Sequence, residues 1–211
     1  MTVSILCNGE FPREPYPLYL LDSADVIVCC DGAYEKLRAH TDRKPDVVIG
    51  DLDSLPEELR REISDRLVLV AEQDDNDQTK AVRYTLEHYP DAGTIHILGA
   101  TGLREDHTVG NMSLLMEYTR MFDLRDVRMD MVSDYSTILS VTDTVELHLG
   151  EGRRVSIFSP DNSLKIKSEG LVWPTDDVVF DNWWKATLNR AERDIVTLRF
   201  SHPSMALIVL D

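Results

Sequence analysis

An α/β domain built on a parallel sheet, followed by a small all-β domain, is the fold class this 211-residue sequence predicts. Three observations carry it. Short β-branched or apolar runs between Val3 and Leu98 alternate with helix-compatible stretches, as βαβ units require. Glycines and acids cluster where those runs end, at Asn8-Gly9, Asp31-Gly32, Gly50-Asp51 and Gly99–Gly102. From about Asp126 onward there are only short strand-like runs between turn signals, the pattern of a sandwich or barrel.

Taken in order, Val3 to Cys7 reads as a strand that opens at Asn8-Gly9 into a loop kept extended by Pro12, Pro15 and Pro17. Val26 to Cys30 is a second buried strand, and Ala33 to Ala39 is helix-compatible. Val47, Val48 and Ile49 are consecutive β-branched residues, so this strand is expected to be buried on both faces. Gly50 stops it and Asp51 and Asp53 follow. Ser54 reads as the N-cap of a helix from Pro56 to Ile63, with Glu57 closing a capping box. A strand over Leu67–Ala71 leads into EQDDNDQTK and a helix with Ala81, Val82, Thr85, Leu86 and Tyr89 on one face. Thr94–Leu98 is a strand running into GATGLREDH, and the next helix turns Val109, Met112, Leu115 and Met116 inward. The later strands are expected over 127–132, 145–149, 155–158, 164–167, 178–180, 195–200 and 206–210. The boundary is placed at 143/144, giving a Rossmann-like α/β/α domain over 1–143 and a β-sandwich or barrel over 144–211.

Composition narrows the function classes. At 43% hydrophobic residues, a packed core is expected and disorder is not. A net charge of -16 argues against a nucleic-acid or anionic-membrane surface, since neutralising phosphates needs clustered Lys and Arg. It leaves room for a nucleotide, which needs a few local cations or a metal. Cys7, Cys29 and Cys30 form no disulfide framework and no zinc spacing, and the N-terminus lacks a signal-peptide pattern, so a cytoplasmic protein is expected.

The chemistry lies in the polar clusters at strand ends, which a parallel sheet brings to one edge. No P-loop or dinucleotide glycine fingerprint is present. A lone D-x-D is more often a solvated acidic turn than a site, and Asp77 and Asp106 could each serve only as N-caps. Together, however, Asp51, Asp53, Asp74, Asp75, Asp77 and Asp106 leave at least three acids converging without structural need. A Mg²⁺ site is the economical reading, with Lys80 and Arg104 left for phosphate oxygens and Gly99 and Gly102 allowing close backbone approach. His107 on its own reads as a structural hydrogen-bonder.

These blocks resemble the thiamine pyrophosphokinase family. The likeness rests on GDLDS at Gly50–Ser54, QDDNDQTK at Gln73–Lys80 and GLREDH at Gly102–His107, with looser matches at Asp31-Gly32-Ala33 and at Gly170–Pro174. The resemblance implies a homodimeric, Mg²⁺-dependent enzyme that moves the β,γ-diphosphate of ATP to the hydroxyl of thiamine, releasing AMP, with a pocket shared between subunits. It implies Asp51, Asp53 and Asp77 as metal ligands, with Arg104 and Asp106 completing the catalytic set. Gln73, Asp74, Asn76, Thr79, Lys80, Gly99 and His107 fall to the ATP side, and Trp173 and Asn189 to thiamine. Where the family has a serine before the conserved-position asparagine, this chain has Leu188, ahead of which stand Trp183 and Trp184 as strand core or pocket. A diphosphokinase for another hydroxymethyl heterocycle such as a pterin, or a non-catalytic thiamine-binding protein, are the alternatives. A haloacid-dehalogenase-type phosphatase fits less well, because its nucleophilic Asp would follow the first strand.

Overall fold

Which residues are buried explains the elements of the first half. The computed structural model describes Met1–Asp211. It divides into two compact units, the first comprising residues 1–114 and 123–134 and the second residues 115–122 and 135–211. In the first, β1 (Thr2–Leu6) leads through α1 (Pro15–Asp22) to β2 (Val26–Cys30), α2 (Ala33–His40) and β3 (Val47–Gly50). Then come α3 (Glu57–Glu62), β4 (Leu67–Leu69), α4 (Asp77–His88), β5 (Thr94–Leu98), α5 (Glu105–Met121) and β6 (Arg128–Val132). The final turns of α5 belong to the second unit.

The strand order in the first unit is β6-β5-β1-β2-β3-β4, and every pairing is parallel. The chain therefore winds outward from β1 in one direction and then returns to its other side with β5. That puts the topological switch between β1 and β5, with the loops after all these strands on one edge. β2 and β3 are buried at every residue, which is why their sequences are uninterrupted apolar runs rather than alternations. A core of Leu6, Ile27, Leu37, Val48, Leu55 and Leu98 lies on one face of the sheet.

Four local expectations change. The segment expected to be an extended loop contains α1, because Pro15 sits in the helix's first turn, where a missing N–H breaks no intrahelical bond. The capping box at Ser54 and Glu57 does not form: α3 begins after Pro56 without a side-chain cap, and the Ser54 hydroxyl donates to Asp53 Oδ1 instead. β4 is only three residues long. In α5, Leu115, Met116 and Tyr118 are buried but Val109 is half exposed, since the helix packs through its C-terminal half.

The second unit is an antiparallel sandwich. β7 (Thr137–Val141), β8 (Val145–His148), β9 (Arg154–Phe158), β10 (Ile166–Glu169), β11 (Asn189–Arg190), β12 (Ile195–Phe200) and β13 (Ala206–Leu210) form two sheets, ordered β11-β9-β13-β7 and β10-β12-β8. Val155, Ile157, Ile166, Val196, Leu198 and Ile208 fill the space between them. β7 was not expected from the sequence, and it pairs with β13 along its full length. Residues 178–180 form no strand; Phe180 is nonetheless buried as a loop residue inserted into the core. Trp183 and Trp184 are likewise in a turn segment, and both are exposed rather than strand core. No helix of the chain is long and apolar enough to cross a membrane.

Candidate functional site

The turn after β3 is built by alternation. Gly50 ends the strand at φ 156°, where a Cβ would lie 3.0 Å from the Cβ of Asp31 and 3.2 Å from Oδ1 of Asp77. Only glycine lets these two acids close over the strand end. Leu52 then takes the left-handed conformation, φ 63°, and drops its side chain into the core beside Leu55. Its neighbours Asp51 and Asp53 are turned outward as a result. Asp51 Oδ1 accepts from the Asp53 amide at 3.2 Å and its Oδ2 from the Gln73 carboxamide at 3.1 Å. The Gln73 bond, and next the Asp53 amide, hold the Asp51 carboxyl below the usual carboxylate range.

Asp31 completes the arrangement. It follows β2 at φ 34°, is 2% exposed, and accepts the Ser54 amide on Oδ2 at 3.0 Å. Its Oδ1 is buried with no hydrogen-bond partner. Burial raises its pKa, against the lowering effect of the Ser54 amide, and the charges of Asp51 and Asp53 raise it further. One carboxylate oxygen from each of Asp31, Asp51 and Asp53 lies within 4.8 Å of the other two. Three acids this close, one with an unsatisfied buried oxygen, form an all-oxygen donor set suited to a hard divalent cation.

Helix α4 brings the next group. Asn76, not Asp77, is its N-cap: Asn76 Oδ1 accepts from the Thr79 amide at 2.9 Å and the Thr79 hydroxyl at 3.0 Å. That leaves the Asp77 carboxylate free of capping duty and facing Lys80, whose buried ammonium is 3.7 Å from Asp77 Oδ1. Burial raises the Asp77 pKa, Lys80 opposes it, and Asp31 and Asp51 add to it. Asp77 thus adjoins the carboxylate triplet across Gly50 without being one of its three members. Asp74 is exposed, with its amide bonded to Glu72, while Asp75 pairs with Arg83 at 2.6 Å.

At the switch point the two loops touch backbone to backbone. The Gly9 amide donates to Gly99 O at 2.7 Å, and a Cβ on Gly9 would sit 2.4 Å from that oxygen. Lys36, which the sequence did not single out, ties the same loop by donating to Asn8 O and Gly9 O at 2.7 and 2.6 Å. Arg104 and Asp106 form a bidentate pair at 3.1 and 2.5 Å, both mostly exposed. Hydrogen bonding from Arg104 lowers the Asp106 pKa to about 2. Asp106 lies inside the first turn of α5 and is not its N-cap; His107 is exposed, with its amide bonded to Asp106 Oδ1 at 2.8 Å.

In the second unit Asn189 is nearly buried and brackets the backbone of Trp173. Its Oδ1 accepts from the Trp173 amide at 3.2 Å and its Nδ2 donates to the Trp173 carbonyl at 2.6 Å. The Trp173 ring is left 56% exposed. Leu188, beside Asn189, takes φ 58° with its side chain exposed and its amide bonded to Ser156 Oγ at 3.0 Å.

Among these groups, Asp31 and Lys36 were not expected as site residues. Asp31 was legible only as half of an Asp-Gly turn, and its convergence with Asp51 depends on β2 and β3 being neighbours. Lys36 carries no sequence signal, because its role is set by where a loop 27 residues earlier comes to rest.

Comparison with known proteins places the chain in a family. Residues 18–125 match the family model "Thiamin pyrophosphokinase, catalytic domain", and residues 137–205 match "Thiamin pyrophosphokinase, substrate-binding domain". The chain is 27% identical over 201 residues to thiamine pyrophosphokinase 1 of Oryza sativa subsp. japonica, covering 82% of this chain and 73% of the relative. It is 41% identical over 75 residues, 34% of each chain, to thiamine pyrophosphokinase of Bacillus subtilis. The solved structure of the Bacillus subtilis thiamine pyrophosphokinase shares the fold, with a TM-score of 0.80 at 19% identity over 100% of this chain and 99% of that one. The Candida albicans thiamin pyrophosphokinase aligns with a TM-score of 0.81 at 16% identity, over 99% and 89%. With the catalytic-domain model alone spanning half of its residues and the substrate-binding model most of the rest, this chain belongs to the thiamin pyrophosphokinase family.

Proposed function

We propose that this chain transfers the β,γ-diphosphate of ATP to the hydroxyl of thiamine, giving thiamine diphosphate and AMP, with Mg²⁺ as its cation. The observation that carries the reading is the convergence of Asp31, Asp51 and Asp53, with Asp31 Oδ1 buried and unpartnered. An oxygen-only set with one orphaned acceptor fits Mg²⁺; Asp31, Asp51 and Asp53 would hold the ion, which would supply neutralisation of phosphate charge. Asp51, Asp53 and Asp77 are its proposed ligands, joined here by Asp31.

The chain's own residues then do the positioning. Gln73 and the Asp53 amide orient the Asp51 carboxylate through Oδ2 and Oδ1, the group that would hold the cation. Asn76 and Thr79 hold the start of α4, which sets Asp77 and Lys80 against the triplet. Lys80 and Arg104 are cations for the transferred diphosphate, with Asp106 holding the guanidinium in a planar fork. Asp74, Gly99 and His107 belong to the same ATP-facing edge. Residues 1–143 are assigned to ATP binding and 144–211 to thiamine. There Trp173 offers an aromatic face to the thiazolium or pyrimidine ring, and Asn189 holds Trp173 in place. Exposed Trp173, Trp184 and Leu188 are apolar surface of the kind a second subunit covers, in keeping with a homodimer. Three free thiols suit a reducing cytoplasm.

The test is an incubation with ATP, Mg²⁺ and thiamine, followed by chromatography of nucleotide and thiamine products. AMP and thiamine diphosphate should rise in equal amounts. ADP with thiamine monophosphate would mean single phosphoryl transfer, and the reading would be wrong.

A further inference from the structure

A second polar cluster lies behind the carboxylates, and the reaction makes no use of it. β1 and β2 run in parallel register, with Leu6 beside Cys29, so the next pair along the strands is Cys7 and Cys30. Their sulfurs are 3.9 Å apart. Each also faces an oxygen from the start of α4: Cys30 Sγ is 3.5 Å from the carbonyl of Asp77, and Cys7 Sγ is 3.8 Å from Oε1 of Gln78. Both thiols are nearly buried, Cys7 at 6% and Cys30 at 2% exposed. Cys29 points to the opposite face of β2 and takes no part.

We propose that Cys7 and Cys30 form a binding site for a thiophilic divalent cation such as Zn²⁺ or Cd²⁺, completed by the Asp77 carbonyl and Gln78 Oε1. Metal–sulfur and metal–oxygen bonds of about 2.3 and 2.1 Å around a tetrahedral ion give sulfur–sulfur edges of about 3.8 Å and sulfur–oxygen edges of about 3.6 Å. The sulfur–sulfur separation of 3.9 Å and the two sulfur–oxygen separations of 3.5 and 3.8 Å lie close to three of the six edges of such a tetrahedron. Binding exchanges two thiol protons for one cation, M²⁺ + 2 Cys–SH → M(S–Cys)₂ + 2 H⁺, with no change of oxidation state. Two soft sulfurs separate this site from the oxygen-only set of Asp31, Asp51 and Asp53, which prefers Mg²⁺. An ion held here fixes Asp77 and the first turn of α4, so its occupancy acts on the neighbouring acidic turn.

The experiment titrates the metal-free protein with Cd²⁺ and follows the ultraviolet thiolate-to-cadmium charge-transfer absorption. One equivalent should produce the band, a large excess of Mg²⁺ should leave it in place, and Cys29→Ala should keep it. Cys7→Ser and Cys30→Ser should each weaken Cd²⁺ binding at least tenfold. A band that Mg²⁺ displaces, that survives both serine variants, or that never appears overturns the proposal. If the serine variants do not fold, ¹¹³Cd resonance of the wild-type protein decides the matter: a downfield signal from two sulfur ligands supports the site, and an oxygen-only signal refutes it.

Discussion

The strand-end turns of the first unit and the loops of the second present their side chains by different physical means. In the first, each acid follows a strand that is buried on both faces, so its place is fixed by the sheet: Asp31 after β2, Asp51 after β3. The cost appears as local strain and burial, with positive φ at Asp31 and Leu52 and a raised pKa at Asp31 and Asp77. In the second unit Trp173 stands in no strand. Its backbone is held by the carboxamide of Asn189, and the ring projects outward. Carboxylate positions built on strand ends are rigid and charged, whereas the aromatic position is held by one side chain. Substitutions in the first unit should therefore remove chemistry, and those in the second should weaken binding of the acceptor.

The largest expected effect is at the acids. Asp51→Asn keeps the shape and one bond to Gln73 but removes a carboxylate charge from the proposed cation site, and turnover should fall by about 10²–10³ or more while the melting temperature stays near wild type. Equal activity would break the contrast at its strong end. Next, Trp173→Ala should raise KM for thiamine by about tenfold or more with a smaller change in kcat, since an aromatic–cation contact contributes roughly 1–2 kcal/mol. A fall confined to kcat would instead place Trp173 with the reacting groups. Asn76→Ala removes the cap of α4 and should lower stability by about 1 kcal/mol, read by denaturant unfolding, with a loss of activity from misplaced Asp77.

The pH dependence sharpens the same comparison. Burial raises Asp31, so the folded chain holds that proton more tightly than the unfolded chain does. The metal-free protein accordingly loses stability as pH rises from the ordinary carboxylate range through the raised value. Asp31→Asn should then melt higher than wild type at neutral pH without metal, and the gain should vanish at pH below the ordinary carboxylate range. A variant that melts lower at neutral pH would show that the Asp31 charge supports the fold. The smallest effect is at Leu188, where Gly relieves a left-handed φ of 58° and should stabilise the second unit by at most about 1 kcal/mol.

Much of the first unit was legible because burial on both faces leaves an uninterrupted β-branched signature, as in Val47-Val48-Ile49. Its helix α1 was not, since proline in a first helical turn looks the same in sequence as proline in an extended loop. The acids at 51, 53 and 77 could be picked out one by one, but Asp31 joins them only through strand order, which no local pattern encodes. The capping role of Ser54 was misread, and Asp77 was open to reading as a cap, for a related reason. Several polar residues in a row could each cap, and tertiary contacts choose among them: Ser54 turns to Asp31 and Asp53, and Asn76 takes the cap. In the second unit β7 escaped notice because Thr137–Val141 is only partly buried, and Phe180 misled because a core side chain need not come from a strand.

We propose that the acids at the ends of β2 and β3 hold a hard cation. Calorimetric titration of Mg²⁺ into the protein saturated with a non-hydrolysable ATP analogue tests it most directly, comparing wild type with Asp31→Asn and Asp51→Asn. A saturable wild-type signal is expected, with at least tenfold weaker binding in both folded variants. Mg²⁺ affinity equal to wild type in both would contradict it.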